Sequence, residues 1–490
     1  MSSDANRLLL TSVREVTLGT TPNTPRMRTA RLKGETLRFA PVFVKSEEIR
    51  ADRMNADPIE VNVQNDGPVN GELSYPVAHS PFADWLESLF CNNWVDTPSR
   101  DNDGTADSVI TDIGTTTDTL VCTTGAAFVA GHLVRNSGFA LSANNGTFKV
   151  TTGGTTSLVS TSSGWSAEVA PPATARVKVV GFQGASGDIT ATASGLGSTV
   201  LDFTTLGLAV GQWVKNGGTA AGDKFATAAD NDWARVTAIA AHALTLDNLP
   251  ASWATDSGTG KTIKVFFGDT LKNGVLTLSQ TLERGFLSQA VPTYIAQAGM
   301  VAGQGVFNFM SEQIATWTMT FGGMTGTQGT TPLDASPDAA TTNASMAAAV
   351  NVGRIAENGT VVGGPNFVKS ATVTINNNLR MLAAIRSDGL VGPVDIGKGS
   401  VDVTVATETY FGSNALLTKL FANTPTNINI RIAKNSQAMV WGFPRLTYTQ
   451  GQANATAKNT DVMLPLTTDA SIDTLTNAHV LLDRLEYFEA

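Results

Sequence analysis

The sequence predicts a mainly β protein: an α+β body of two packed β-sheets with flanking helices, interrupted by two small inserted β-barrel or sandwich domains. Three observations predict it. Short runs near both ends alternate strictly between apolar and polar residues, the mark of strands with one face in a core. The middle, from Asp101 to about Asp269, is Gly, Thr, Ala and Ser text with short Val-rich runs and frequent turn signals. That middle also repeats itself. The expected division is residues 1–100 with 270–490 as one discontinuous body, 101–186 as a first inserted domain and 187–269 as a second.

The chain has 490 residues, and a composition of 42% hydrophobic and 15% charged residues is that of a folded protein too large for one core. A formal net charge of -9 excludes a protein whose main task is gripping phosphate backbones. The first residues, Met1 to Val16, carry only the short Leu8 to Leu10 run, without the apolar core of an export signal, and nothing approaches a membrane span. Cys91 and Cys122 are therefore expected as free thiols, with assembly in a reducing cytoplasm.

Strict alternation at Ile59/Val61/Val63 predicts the first half-buried strand. Next, Ser80 can cap a helix with Pro81 at its first position; Phe82, Trp85, Leu86, Leu89 and Phe90 then fall on one apolar stripe that needs a sheet to lie on. The stretch Asp101-Asn102-Asp103-Gly104 reads as the linker into the insert and Gly268-Asp269 as its exit. Within the insert, AFVAGHLVRNSG (Ala127 to Gly138) matches GLAVGQWVKNGG (Gly207 to Gly218) at an offset of 80. Lys149-Val150, Leu158 and Val177-Lys178-Val179 match Arg235-Val236, Leu244 and Ile263-Lys264-Val265 at an offset of 86. Beyond the insert, alternation returns at Leu276/Leu278, Trp317/Met319/Phe321, Ala371/Val373/Ile375, Val401/Val403/Val405 and Ile428/Ile430/Ile432. A second helix is expected after Ser413, with Leu416, Leu417, Leu420 and Phe421 on its apolar face and Pro425 beyond its end.

Sites for chemistry were sought along the same path. Ser257-Gly258-Thr259-Gly260-Lys261-Thr262 resembles the end of a phosphate-binding loop, but Thr255 stands where a glycine is needed and a strand follows where a helix should start; a hairpin turn is expected. His79, His132, His242 and His479 show no paired spacing, so no metal site is expected and each reads as a surface or interface histidine. The oxygens of Asp101 to Asp103 and Asp230 to Asp232 lack the closing glutamate of a calcium loop. No catalytic residue, cofactor or enzyme activity is expected. The basic group Arg26, Arg28, Arg31, Lys33 and Arg38 has Glu35, Glu47 and Glu48 nearby and reads as a solvated arm or a subunit contact rather than a nucleic-acid site.

Thr20-Thr21-Pro22-Asn23-Thr24-Pro25, Gly34-Glu35-Thr36-Leu37, and Ser46 to Arg53 with Ile49-Arg50-Ala51-Asp52-Arg53 together resemble the start of siphophage tail tube proteins. The Asn65-Asp66-Gly67 to Tyr75 segment, the Pro81 to Phe90 helix, and Asp269 to Ala490 with its helix at Asn414 to Ala422 continue the likeness. The resemblance implies a virion structural subunit forming stacked hexameric rings whose strands close into a shared β-barrel around a DNA-conducting lumen. It implies as partners the chain itself, a tape measure protein and DNA within the lumen, and tail terminator and tip proteins. Contacts between subunits or rings are expected at Arg26, Arg28, Arg31, Lys33, Arg38, Ile49, Arg50, Asp52 and Arg53. The segments Arg26 to Arg38, Ser46 to Asp57 and Gly322 to Ala349 would order against the next ring, so deleting residues 1–40 is expected to leave folded subunits that do not polymerise. The inserted domains would decorate the outside, where a host glycan or filament is a candidate partner, and replacing Asp107 to Gly268 by a linker is expected to preserve tubes. A surface adhesin built of β-repeats is the alternative; an enzyme of carbohydrate metabolism with attached binding modules is a further one, for which the sequence shows no candidate carboxylate pair.

Overall fold

The computed structural model describes residues 4–104, 109–114, 118–161, 164–385, 391–455 and 457–489; Asp107, where the expected excision begins, lies outside them. The body opens with β1 (Leu8–Arg14), a long hairpin of β2 (Arg38–Val44) and β3 (Ile59–Glu72), and helix α1 (Pro81–Phe90). The principal insert strands are β4 (His132–Ser137), β5 (Arg176–Gln183), β6 (Trp213–Asn216), β7 (Trp233–Ala240) and β8 (Lys264–Phe266). The body resumes with β9 (Asp269–Lys272), β10 (Gln280–Phe286), β11 (Thr293–Met310), β12 (Thr316–Gly322), β13 (Val352–Glu357), β14 (Val368–Asn376) and β15 (Asp402–Tyr410). Helix α2 (Ala415–Ala422), β16 (Thr426–Lys434), β17 (Gln437–Gly451), β18 (Met463–Ala470) and β19 (Leu481–Leu485) complete it.

Two strands organise the body because each is long enough to serve two sheets. β11 has 18 residues and β17 has 15, roughly 60 and 50 Å at about 3.4 Å per residue. The first half of β11 pairs with β10, which pairs with β1. Its second half joins β12 and β14, in an antiparallel series running β2, β3, β12, β11, β14, β15, β18 and the end of β17. The first half of β17 lies between β16 and β19 in a sheet that continues to β13 and β9. Where β11 changes partners, Gly299 takes φ +71°, and a Cβ there would meet Met324 Cγ at 2.8 Å. The buried Glu15 carboxylate holds this bend, accepting from the Gly299 N–H at 2.8 Å and the Thr281 hydroxyl at 2.7 Å.

The alternating residues of β12, β14, β15 and β16 point into the body core as the sequence predicts. In β17 the odd positions Met439, Trp441 and Phe443 enter this core, where Phe307 and Trp441 bring the two sheets together at 4.5 Å, while Ala438 and Val440 face the insert. Two expectations differ. Leu276 and Leu278 lie outside any strand, since three residues of alternation carry no pairing partner by themselves. The Ile59/Val61/Val63 run is a strand, but Ile59 and Val61 are exposed, because alternation identifies a sheet face without saying what covers it.

The cap on α1 forms as predicted: Ser80 Oγ accepts from the Ala83 N–H at 3.3 Å, Pro81 follows, and Cys91 ends the helix at φ +53°. The polar face is covered as well as the apolar one. Arg28 pairs with Asp84 at 3.2 Å and Arg14 with Glu87 at 2.7 Å, so α1 is buried nearly all round. Trp85, Leu86, Leu89 and Phe90 are fully buried, and Phe82, half-buried, stacks on Trp317 at 5.1 Å. In α2 only Leu416 is buried; Leu417 and Leu420 are half-covered and Phe421 is 79% exposed.

The two sequence-matched stretches of the middle region meet in three dimensions. Both copies contribute to one sheet, with β5 of the first antiparallel to β8 of the second, and both feed one hydrophobic cluster that contains no body residue. The copies share loop chemistry too: Asn145 latches Phe139 and Leu141 through its amide, and Asn231 latches Phe225 and Thr227 in the same manner.

Candidate assembly surfaces

The sheet face of the insert turned away from its own core meets the body. Leu133, Val180, Trp213, Trp233 and Phe266 pack on Ala438, Val440, Leu485 and Phe488. Beside this contact runs a buried ionic chain. Asp269 receives Lys178 Nζ at 2.6 Å, Arg484 Nε at 2.8 Å and the Thr97 N–H at 2.9 Å. Arg484 also reaches Asp96 at 2.9 Å and lies 4.1 Å over the Trp94 ring, while Arg176 pairs with Glu486 at 2.9 Å. The final residues clamp the junction: Arg135 stacks on Tyr487 at 4.3 Å and Lys264 pairs with Glu489 at 2.9 Å.

The basic residues expected on a loose arm are tied down within the subunit. Arg26 pairs with Asp338 at 2.8 Å, Arg28 with Asp84, and Arg38 with Asp66 at 2.9 Å, while Arg31 donates to the Asn343 carbonyl and to Ser345. Lys33 is exposed. Met27, Ala30 and Leu37 of the same segment are buried, Arg28–Thr29 pairs with β1, and Gly34–Glu35 pairs with β3. The Gly322 to Ala349 segment, which supplies Asp338, Asn343 and Ser345 among these partners, also lies on the body, with Thr325–Gly329 paired to β11 and Met346 buried. Deleting residues 1–40 would thus remove a core strand and Leu10 with it, so the expectation of folded subunits after that deletion is corrected.

Ile49, Arg50, Asp52 and Arg53 form a different surface, the tip of the β2–β3 hairpin. Arg50 pairs with Asp52 at 2.7 Å, the Arg53 N–H donates to the Arg50 carbonyl at 3.1 Å, and Arg53 turns left-handed at φ +58°. The Asp52 carboxyl is held below its ordinary range by the Arg50 hydrogen bond and the Met54 N–H. This ordered turn presents Ile49 and Met54 outward, and Phe43, Val44, Ile59 and Val61 below it are each more than half exposed. The sequence marks Ser46 to Asp57 as a segment expected to order against the next ring, but not the apolar walls beneath its turn, whose alternation resembles that of a core strand.

The sites singled out in the sequence for chemistry are held by local structure. The Ser257 to Thr262 stretch is a turn whose Lys261 donates to the Ala221 carbonyl at 2.8 Å. His132 is core rather than surface: it is buried between the Val129 N–H and the Leu206 carbonyl, and burial pushes it down to about 4. Asp230, Asn231 and Asp232 turn to separate partners, Ala254, Phe225 and Arg431, and Asn102 latches Ile110 and Pro171. Among the described residues no cluster of metal-ligating side chains occurs and no helix is long and apolar enough to cross a membrane. Cys91 and Cys122 are buried free thiols, and burial raises both.

No curated protein matches the chain. The family described as phage tail tube protein does, in two overlapping stretches, residues 5–238 and 166–470, which together take in both arms of the body and the whole insert. With that match over most of its length and a mainly β body, the chain belongs to the phage tail tube protein family and is a structural component of the virion tail.

Proposed function

We propose that the subunit forms hexameric rings that stack into a tube whose lumen conducts the viral DNA, with the insert, residues 101–186 and 187–269, facing outward. The observation that carries this reading is the β2–β3 hairpin. Six large apolar side chains, Phe43, Val44, Ile49, Met54, Ile59 and Val61, stand more than half exposed on one projection, and fully burying each would contribute about 1.5–3 kcal/mol. A surface of this kind on a soluble subunit fits a second copy of the chain. Among the described residues β2 pairs with β3 alone in the main sheet, so its outer edge offers backbone groups to a neighbour, with Pro41 limiting how far pairing extends. The net charge of -9 suits a wall along which DNA slides without being held. The tape measure protein, the terminator and the tip proteins would meet the tube in its lumen and at its ends, and a host glycan or filament would meet the insert.

Electron microscopy of the concentrated protein tests the reading. Hollow tubes with a six-fold cross-section and outward knobs are expected; discrete monomers under every assembly condition tried would remove its basis.

A further inference from the structure

A cleft of about 450 Å³ lies between the second insert copy and the body. Arg354 lines its body side, with Arg431 beside it on the paired strand. Arg354 on β13 and Arg431 on β16 are direct cross-strand partners, and like charges so placed weaken a sheet. Arg354 is 7% exposed and lines the cleft; it donates to the Gly359 carbonyl, and its Nε has no partner among the described residues. Arg431 lies 5.1 Å over the Trp233 ring and faces Asp232 at 3.4 Å, a carboxylate 45% exposed to solvent. The cleft's other carboxylate, Asp247, is taken by Arg235 through both its oxygens. Burial pulls both Arg354 and Arg431 below their ordinary range, with Asp232 opposing it in each.

Three guanidiniums thus share the cleft's two carboxylates, and the one that lines the cleft itself, Arg354, is buried with a donor unfilled. Burying a cation this way is costly unless an anion completes it. A guanidinium's planar fork matches a carboxylate or a phosphate and gives short charge-assisted hydrogen bonds. The volume lies within the range of small-molecule sites, and Asn248, Asn358 and Thr360 on the rim offer groups for hydroxyls. We propose that this cleft binds a small molecule of monosaccharide size that carries an oxyanion, with Arg354 holding the charge and Arg431 beside it adding positive potential. The site stands on the subunit's own geometry and is independent of ring formation.

Calorimetric titration of the full-length, unassembled protein with glucuronate, inorganic phosphate and glucose at low salt tests it. Glucuronate or phosphate should bind and raise the melting temperature, glucose should not, and Arg354→Gln should weaken binding at least tenfold; the tighter of the two anions identifies the source of the charge. Arg354→Lys keeps the charge but loses the fork, so it should also weaken binding, and it serves if the glutamine variant does not fold. Equal response to glucose and glucuronate, undiminished binding in these variants, or no response to either anion up to about 20 mM overturns the proposal.

Discussion

Asp269 and Asp483 sit on paired strands, β9 and β19, each fully buried, and their carboxyls are driven in opposite directions. Burial alone would raise Asp269, but Lys178 and Arg484 outweigh it and hold the group well below the usual carboxylate range. Asp483 has no such cations. Burial pushes it up to about 7, only partly opposed by Thr270, the Trp213 N–H and Arg235. The signs differ accordingly. Stability from Asp269 is present above the unfolded carboxylate value near 4 and is lost as pH falls through its depressed folded value; Asp483 favours folding most below about 4, and its contribution is lost as pH rises towards 7. Asp483→Asn should therefore melt higher than the parent at pH 8, by an upper limit of about 4 kcal/mol, with the gain gone at pH 4. Melting curves across that range check it, and a pH-independent effect would count against this origin. Asp269→Asn should cost about 3–5 kcal/mol at pH 7 in urea unfolding, because two buried cations lose their shared anion.

At the level of elements, the β2–β3 hairpin and β1 make opposite predictions. Replacing residues 45–58 by Asn-Gly, which closes a two-residue turn on the Val44/Ile59 pair, should change subunit stability by less than about 1 kcal/mol while abolishing tubes. Circular dichroism and microscopy read the two effects, and normal tubes from this variant would show that the tip is not an assembly contact. Deleting residues 1–40, by contrast, should give insoluble or unfolded protein. These contrasts trace what was legible in the sequence. The α1 cap at Ser80-Pro81 is local chemistry and could be read directly, as could the strands at Trp317 to Phe321 and Ala371 to Ile375, whose period survives because one face is core. The fixing of Arg26 to Arg38 could not, because its partners Asp334, Asp338 and Asn343 lie some 300 residues onward. Neither could β19, which is covered on both faces and so shows no alternation.

For the whole molecule, the repeat was legible through its glycines and asparagines, but the pairing of β5 with β8 was not, since nothing local records which strands of two copies meet. The same limit hid the docking of insert on body. Thr97 bonds Asp269, and Val95 bridges Thr270, so joining 97 to 269 by a short linker is geometrically simple. It would nevertheless bare Val440, Leu485 and Phe488 and strip Lys178 from Asp269. That excision alone should yield aggregating protein, and adding Val440→Thr, Leu485→Thr and Phe488→Ser should restore a monodisperse species by light scattering; a soluble, unmodified excision product would mean that the docking contact contributes little. The neighbouring of Thr97 and Asp269 also bears on how the chain is made. β1 cannot find β10 until the ribosome has passed Gln280, 266 residues beyond its partner Arg14. By then the insert, with its own core, has been synthesised, and its folding draws residues 97 and 269 together. Shortening the loop from roughly 270 to roughly 100 free residues lowers the entropic cost of closing the body by about 1 kcal/mol, so an appendage on the finished subunit acts during synthesis as the clasp that brings its two ends within reach.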